Sequence, residues 1–397
     1  MYKFIQQCRA CGNPAKNLVE VFDLGLQPLA NDFRKGDEEH AGYAPLKVLF
    51  CEKCTLAQLS VVVDPKLLYS TYAYTTSRSK TMSEHFALLW QAINIECNPD
   101  SVIEIGSNDG FFLEFCKLHG AGQVCGIDPA SNLTSQSKIM TVFGTFNSET
   151  AHAARCVVPR PSLVVARHVF AHIDDWQQFV RDLDALCDKD TLVVLEVPYA
   201  ADTLRHVEFD QVYHEHLSYV SIKAVQFLLR DSPFEIYHVL RFPIHGDSVV
   251  IMLRRTNSKA PRESVAQSLK TEQISVVSWE SFSFFARLRI ESIKRKVSQL
   301  LAQGKVVAGY GASAKSSVCI TACGFTRRQI AFVTDTTSWK IGRLIPGSDI
   351  PVVAEAAIKS EHPDCMICFA WNYKLEILDK EHEYLSNGGQ FIFPNEV

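Results

Sequence analysis

The 397-residue chain lacks any run of about eighteen uncharged apolar residues, the length a bilayer-spanning helix requires. Its opening residues, Met1-Tyr2-Lys3-Phe4-Ile5-Gln6-Gln7-Cys8, contain no signal-peptide core, so a cytoplasmic protein is expected. Blocks of basic charge are missing as well: 40 Lys and Arg face 44 Asp and Glu, for a formal charge of -4. With no basic groove to hold a phosphate backbone, neither nucleic acid nor a membrane is an expected partner. Charged residues make up 21% and hydrophobic ones 47%, which leaves little room for a long disordered tail. The length exceeds one ordinary core, and two or three domains are expected. The 13 cysteines are odd in number and scattered, which fits a reducing compartment better than a disulfide scaffold.

Four of those cysteines have metal-ligand spacing. Cys8-Arg9-Ala10-Cys11-Gly12 and Cys51-Glu52-Lys53-Cys54 are two Cys-x2-Cys knuckles, and together they complete the four-sulfur shell of a structural zinc site. The bland alternative is four unrelated reduced thiols. Between the knuckles the chain is rich in Gly, Pro and charge, from Leu24-Gly25-Leu26-Gln27-Pro28 to Gly42-Tyr43-Ala44-Pro45. Such a segment is expected to have little core of its own and to draw folding energy from the metal. All four positions are sulfur, which leaves no open site for substrate.

From about Met82 to Cys97, apolar or aromatic residues recur at Phe86, Leu89, Trp90 and Ile93, the spacing of a helix. Short apolar runs then alternate with helical stretches: strands at 102–105, 124–127, 163–166 and 191–197, helices at 111–118 and 176–187. This rhythm predicts a mostly parallel sheet with helices on its faces. Two runs near 236–242 and 247–253, joined by a loop with His245 and Gly246, predict an antiparallel pair at the sheet edge. The polar stretch 254–275, with Pro261, marks a boundary, and a helix is predicted from about 276 to 303. Val306 to Lys315 then gives a second strand, glycine turn and helix start. Strands at 330–334, 351–353 and 365–369 complete a second α/β unit.

The first strand runs into Glu104-Ile105-Gly106-Ser107-Asn108-Asp109-Gly110 and then a helix, an arrangement that leaves a helix N-terminus open to a ligand. It lacks the Gly-x-Gly-x-x-Gly spacing of dinucleotide sites. Asp109 at the helix start would repel a pyrophosphate and suits a cationic or amino-acid-bearing ligand. Glu104 within the strand is costly to bury alone, so a polar group of the ligand or the loop backbone is its expected partner. Asp128 ends the next strand, where a carboxylate can accept from two ribose hydroxyls; the competing reading is a helix cap. Together the two segments favour an adenosyl ligand without pyrophosphate.

Two histidine groups follow. His168 and His172 lie four apart and would share a face if that loop starts helically, although His172 reads equally well as a helix cap. Downstream, Phe209-Asp210-Gln211-Val212-Tyr213-His214-Glu215-His216 combines aromatic walls with base, acid and phenol. A neutral imidazole can remove an activated C–H proton while a phenol steadies the oxyanion that results. As zinc ligands these residues lack the His-Glu-x-x-His spacing and an evident third donor.

These residues resemble, over nearly the whole length, the sugar C-methyltransferase family that acts on nucleotide-linked 4-keto-deoxysugars. Three blocks carry the resemblance in order. The first is Cys8/Cys11/Cys51/Cys54 with Pro28-Leu29-Ala30-Asn31. The second is Glu104 to Gly110, Val169-Phe170-Ala171-His172, Glu196-Val197-Pro198 and Tyr213-His214-Glu215-His216-Leu217-Ser218-Tyr219. The third is Gly309-Tyr310-Gly311-Ala312-Ser313-Ala314-Lys315 with Pro346-Gly347. The resemblance implies an α/β chain with a zinc-binding domain at 1–80, a class I Rossmann-like S-adenosylmethionine domain at 81–256, and a Rossmann-like C-terminal α/β domain at 257–397. It implies His216 as the base that takes the proton alpha to the C4 ketone, usually from C3. Tyr213 and Glu215 would orient the sugar or tune the base, and His172 would assist at the enolate oxygen. Glu104, Gly106, Ser107, Asn108, Asp109, Gly110, Asp128 and His168 would face the methyl donor. Tyr310, Ser313, Lys315 and His245 would face the nucleotide sugar, expected to be a dTDP or related 4-keto-deoxysugar. A monomer is expected.

This chain departs from the family's usual residues at His168 (asparagine), Asp247 (glycine) and Ser316-Ser317-Val318 (Gly-Asn-Thr), which bears on the sugar more than on the reaction. Three alternatives stay open. A sugar O- or N-methyltransferase needs less carbon-acid machinery, a nicotinamide oxidoreductase would use the loop at 309–315, and a zinc-stabilised scaffold would keep the fold without the chemistry.

Overall fold

A computed structural model describes residues 1–36, 38–69, 80–135, 137–244 and 247–397. Its centre is a seven-stranded sheet whose spatial order is Phe234–Phe242, Ser248–Arg255, Leu192–Pro198, Leu163–Arg167, Ser101–Ile105, Gln123–Asp128 and Thr141–Phe143. The last five strands are parallel, and the Phe234–Phe242 and Ser248–Arg255 pair is antiparallel at the edge, as the apolar runs predict. Ser101–Ile105, Leu163–Arg167 and most of Leu192–Pro198 are buried throughout, because helices cover both faces and no alternation is needed. The helix Trp176–Leu186 lies on one face. On the other, Lys80–Glu96 and Phe111–Leu118 pack through Phe86, Leu89, Ile93, Phe112 and Leu113. From Ser101–Ile105 the chain steps outward twice before returning to Leu163–Arg167 on the opposite side. A crevice therefore opens where the carboxyl ends of those two strands diverge.

The segment between the cysteine knuckles corrects one expectation. It forms the strands Val19–Pro28 and Tyr43–Phe50, and Ala44, Leu46, Val48 and Phe50 all point into a core. Those four residues alternate with exposed or half-buried ones, the period of a half-buried strand that the surrounding Gly and Pro obscure. With Ala57–Leu59 they make a sheet whose fourth strand, Ser218–Tyr219, comes from the central unit.

The C-terminal unit is a five-stranded parallel sheet in the order Val352–Ala354, Val333–Asp335, Val307–Tyr310, Cys365–Cys368, Gln390–Ile392. Its last strand, only three residues long, leaves no clear mark in the sequence. Inside the polar stretch 254–275 the chain forms a helix, Glu263–Thr271, that packs on the edge strand Phe234–Phe242 and buries Val265. Its other faces meet water, which accounts for the polar composition.

The helix Val276–Ala302 opens with a capping box, in which Ser275 and Ser278 each bond the other's backbone amide. It buries Trp279, Phe282, Ile290, Ile293 and Val297 in a core that also holds Phe22 and Leu46 from the N-terminal sheet, Phe209 and Val212 from the middle unit, and Ile320 and Ile367 from the C-terminal unit. The three units thus share one apolar core. No helix among the described residues is long and apolar enough to cross a membrane. Trp279 sits fully buried at this joint and stacks edge-on against Tyr219 and Phe282. Trp279→Ala is expected to cost about 3–5 kcal/mol, seen as a lower thermal midpoint of the full chain.

Candidate active site

The four knuckle cysteines converge. Cys8 and Cys54 sulfurs are 3.5 Å apart, as are those of Cys11 and Cys51, and all four lie within 4.8 Å of one another. Zn–S bonds of about 2.3 Å arranged tetrahedrally put sulfurs roughly 3.8 Å apart. Gly12 and Thr55, both with left-handed backbone, turn the chain after each knuckle, and Asn13 Nδ2 donates to Cys51 Sγ at 3.6 Å. The donor set fits a structural zinc ion with no open position.

A cavity of about 390 Å³ fills the crevice at the carboxyl ends of the central strands. Gly106, Asn108, Asp128, His168 and His172 line it, with Ile127 and Phe179 among the apolar walls. Gly106 has φ +71°, and a Cβ there would come within 2.1 Å of Val169 Cγ2, so the turn admits no side chain. Asp128 does not cap the next helix, Ser131–Thr134, whose N-cap Ala130 has no side-chain cap bond. The Asp128 Oδ2 accepts from the Asn108 amide and its Oδ1 from the Ala130 amide, each at 2.8 Å, while one face borders the cavity. Burial raises its pKa against those two bonds.

Three loop residues do not line the cavity. The Ser107 side chain is tucked under the turn, where a Cβ on Gly126 would meet its Oγ at 2.2 Å. Asp109 accepts from the Phe111 amide at the helix start, and Gly110 makes the left-handed step before that helix. Glu104 corrects its expectation: its partner is Arg167 on the neighbouring strand, whose Nη2 donates to Oε1 at 2.7 Å and Nε at 2.9 Å. Burial still lifts the Glu104 carboxyl to about 7 against the pull of Arg167. The guanidinium lies 4.5 Å from the centre of the Phe86 ring and 4.4 Å from that of Phe112. Beside it, His85 Nε2 meets Glu196 Oε1 at 2.5 Å. Arg167 has a sequence signal, a lone charge closing an apolar strand; the pairing of His85 with Glu196 has none.

His168 and His172 do not share a helical face, because His168 is left-handed at φ +54° and only then does the 3-10 turn Phe170–His172 begin. Both still border the cavity. His172 is half-buried, stacks on Tyr69, and is pushed down to about 4 by loss of water. Its ring centre is 5.3 Å from that of His216. His216 Nδ1 lies 2.9 Å from the Gln211 carbonyl, and Nε2 lies 2.7 Å from the Tyr213 hydroxyl. A carbonyl can only accept, so in the neutral ring Nδ1 carries the hydrogen and Nε2 presents a lone pair. The other two side chains of the tetrapeptide face the N-terminal unit. His214 Nε2 donates to the Ala44 carbonyl at 3.3 Å, and Asn31 Nδ2 donates to Glu215 Oε1 at 2.9 Å. Burial pushes His214 down to about 4 and raises Glu215.

On the C-terminal side the expected residues separate. The Tyr310 hydroxyl lies in the outer core of that unit and donates between Glu355 and Glu381. Ser313 caps the helix Ala314–Cys323, its hydroxyl buried without a partner. Lys315 donates to Asn372 Oδ1 at 2.8 Å and faces Glu208 and Asp210 of the middle unit. His245 lies outside the described residues. Asp247 has φ +68°, a conformation that glycine adopts freely, and its carboxylate is 3.3 Å from His206 Nε2.

Three family models match successive parts of the chain: a zinc binding domain over residues 8–69, a methyltransferase domain over 74–239 and a C-methyltransferase C-terminal domain over 243–395. The chain is 34% identical over 405 positions to the C-methyltransferase NovU of Streptomyces niveus, covering 98% of this chain and 95% of that one. Among solved structures, a SAM-dependent methyltransferase from Anabaena variabilis aligns at 11% identity with a TM-score of 0.38, over 48% of this chain and 89% of that one. Another from Archaeoglobus fulgidus aligns at 17% identity and 0.34, over 43% and 94%.

His172 and His214 stay neutral in the folded chain down to about 4, against the usual 6.5. Below 6.5 the unfolded chain binds protons that the folded chain refuses, so the stability held above 6.5 is lost as pH falls from 6.5 through 4. Thermal midpoints measured across that window should fall, and less steeply in His214→Gln.

Proposed function

The chain belongs to the C-methyltransferase family, and from that premise we propose that it methylates C3, alpha to the C4 ketone, of a nucleotide-linked 4-keto-deoxysugar. It is an S-adenosylmethionine-dependent enzyme with a structural zinc domain. When bound, S-adenosylmethionine supplies an electrophilic methyl group. Gly106, Asn108, Asp128 and His168 are the residues that would hold it. Asp128 keeps lone pairs free for ribose hydroxyls beyond the two backbone amides it already accepts.

The observation that carries the reading is the hydrogen bond from His216 Nδ1 to the Gln211 carbonyl, which turns Nε2 into the proton acceptor. In the substrate-free cleft the Tyr213 hydroxyl occupies that lone pair. A keto-sugar would take its place, leaving the phenol to donate toward the developing enolate oxygen, with neutral His172 beside it. Glu215, bonded to Asn31, positions the tetrapeptide. We assign the nucleotide phosphates to the start of the helix Ala314–Cys323, beside Ser313 and Lys315. Tyr310, engaged by two carboxylates, is given no contact with the sugar.

A panel of nucleotide-linked 4-keto sugars, dTDP forms first, incubated with deuterated methyl donor and followed by mass spectrometry, identifies the substrate. On it, His216→Asn is expected to lower turnover by about 10²–10⁴ and to stop solvent deuterium entering at C3. Labelled methyl found only on oxygen or nitrogen would overturn the assignment.

A further inference from the structure

The carbonyl that fixes the His216 tautomer is itself held from another unit of the chain. Gln211 closes the 3-10 turn Phe209–Gln211, which packs on the helix Ala314–Cys323 of the C-terminal unit. Asp210, the middle residue of that turn, is 3% exposed, and an ionised carboxylate so placed is costly unless it is paired and hydrogen-bonded. The hydrogen bond comes from across the interface, while burial, offset only in part by Lys315, still raises the Asp210 pKa. Trp371 Nε1–H donates to Asp210 Oδ2 at 2.7 Å, and the Lys315 ammonium, 4.2 Å from the centre of the Trp371 ring, supplies the opposing charge. Trp371 follows the strand Cys365–Cys368 and does not line the cavity.

Free imidazole can carry its hydrogen on either nitrogen, and the hydrogen bond made at one nitrogen decides what the other can do. A carbonyl displaced by an ångström would lose that bond. We propose that Trp371 is a positioning residue for His216: by anchoring Asp210 it holds the Gln211 carbonyl in place, and that carbonyl keeps Nε2 unprotonated, the form in which it can act as the base. The proposal rests on the reading of His216 as the base. It gives the C-terminal unit a part in the chemical step as well as in binding.

The test uses the full-length, zinc-loaded protein labelled with nitrogen-15 histidine. In the parent protein the His216 shifts should report a hydrogen on Nδ1 and an unprotonated Nε2 that accepts from the Tyr213 hydroxyl. Trp371→Phe keeps a ring beneath Lys315 but removes the donor. It should give a mixed tautomer and an approximately 10-fold lower kcat, with S-adenosylmethionine affinity by calorimetry unchanged. Asp210→Asn, which still offers the indole an acceptor, should keep the Nδ1–H form and more of the activity. If Trp371→Phe does not fold, Asp210→Ala removes the same bond and is read in the same two ways. An unchanged tautomer in the variant lacking the bond overturns the proposal, and so does a loss of kcat that comes with an equal loss of cofactor affinity. The nitrogen shifts need no turnover, so an active His216→Asn enzyme would sink the base assignment while leaving the anchor separately measurable.

Discussion

His216 can accept a proton from carbon only while its other nitrogen is committed, and that commitment depends on where three separate units of the chain place one short segment. Residues 208–219 are fixed from every side. Asp210 is tied to Trp371 and faces Lys315, Glu215 is bonded to Asn31, and His214 donates to the Ala44 carbonyl. Ser218 and Tyr219 add a strand to the N-terminal sheet. Each bond satisfies a polar group that burial would otherwise leave costly. Collectively they leave the His216 ring, beside Tyr213, 5.3 Å from that of His172, which borders the cavity that Tyr213 and His216 do not themselves line.

The ends of the central strands are held on a different principle, by a set of buried ionisable groups of which only Arg167 reaches the cavity. Glu104, Arg167, Glu196 and His85 bring four ionisable groups into an interior that would reject any one of them alone. Pairing and the flanking Phe86 and Phe112 rings offset the lost hydration only in part, as the raised Glu104 carboxyl records. Such a layer contributes little net stability, but it locks the ends of Ser101–Ile105, Leu163–Arg167 and Leu192–Pro198 in register. Those strand ends carry the loops that border the cavity.

Contacts between the outer units explain motifs that look unrelated in the sequence. A Cβ on Gly347 would stand 2.6 Å from Pro28 Cγ, so Pro346-Gly347 and Pro28-Leu29-Ala30-Asn31 meet across the interface between the first and third units. Ser317 donates to the Ala30 carbonyl at 2.7 Å at the same joint. Asp247 occupies a left-handed position that favours glycine, and its carboxylate has His206 as a neighbour.

The sequence by itself determined the elements whose signal is local. Cysteine spacing gave the metal shell, continuous apolar runs gave the parallel strands of the central sheet, and the glycine at 106 gave the turn whose conformation excludes a Cβ. Strand alternation in 43–50 was equally present but masked by neighbouring Gly and Pro, and Gln390–Ile392 was too short to stand out. Only the tertiary structure decided which side chains meet. It gave Glu104 to Arg167 instead of to a ligand, withdrew Tyr310 to Glu355 and Glu381, and brought Trp371 to Asp210 across 161 residues of chain. The physical reason is that backbone conformation answers to neighbours within a few residues. The pairing of buried charges answers to whatever the shared core brings within about 3 Å, the reach of a hydrogen bond.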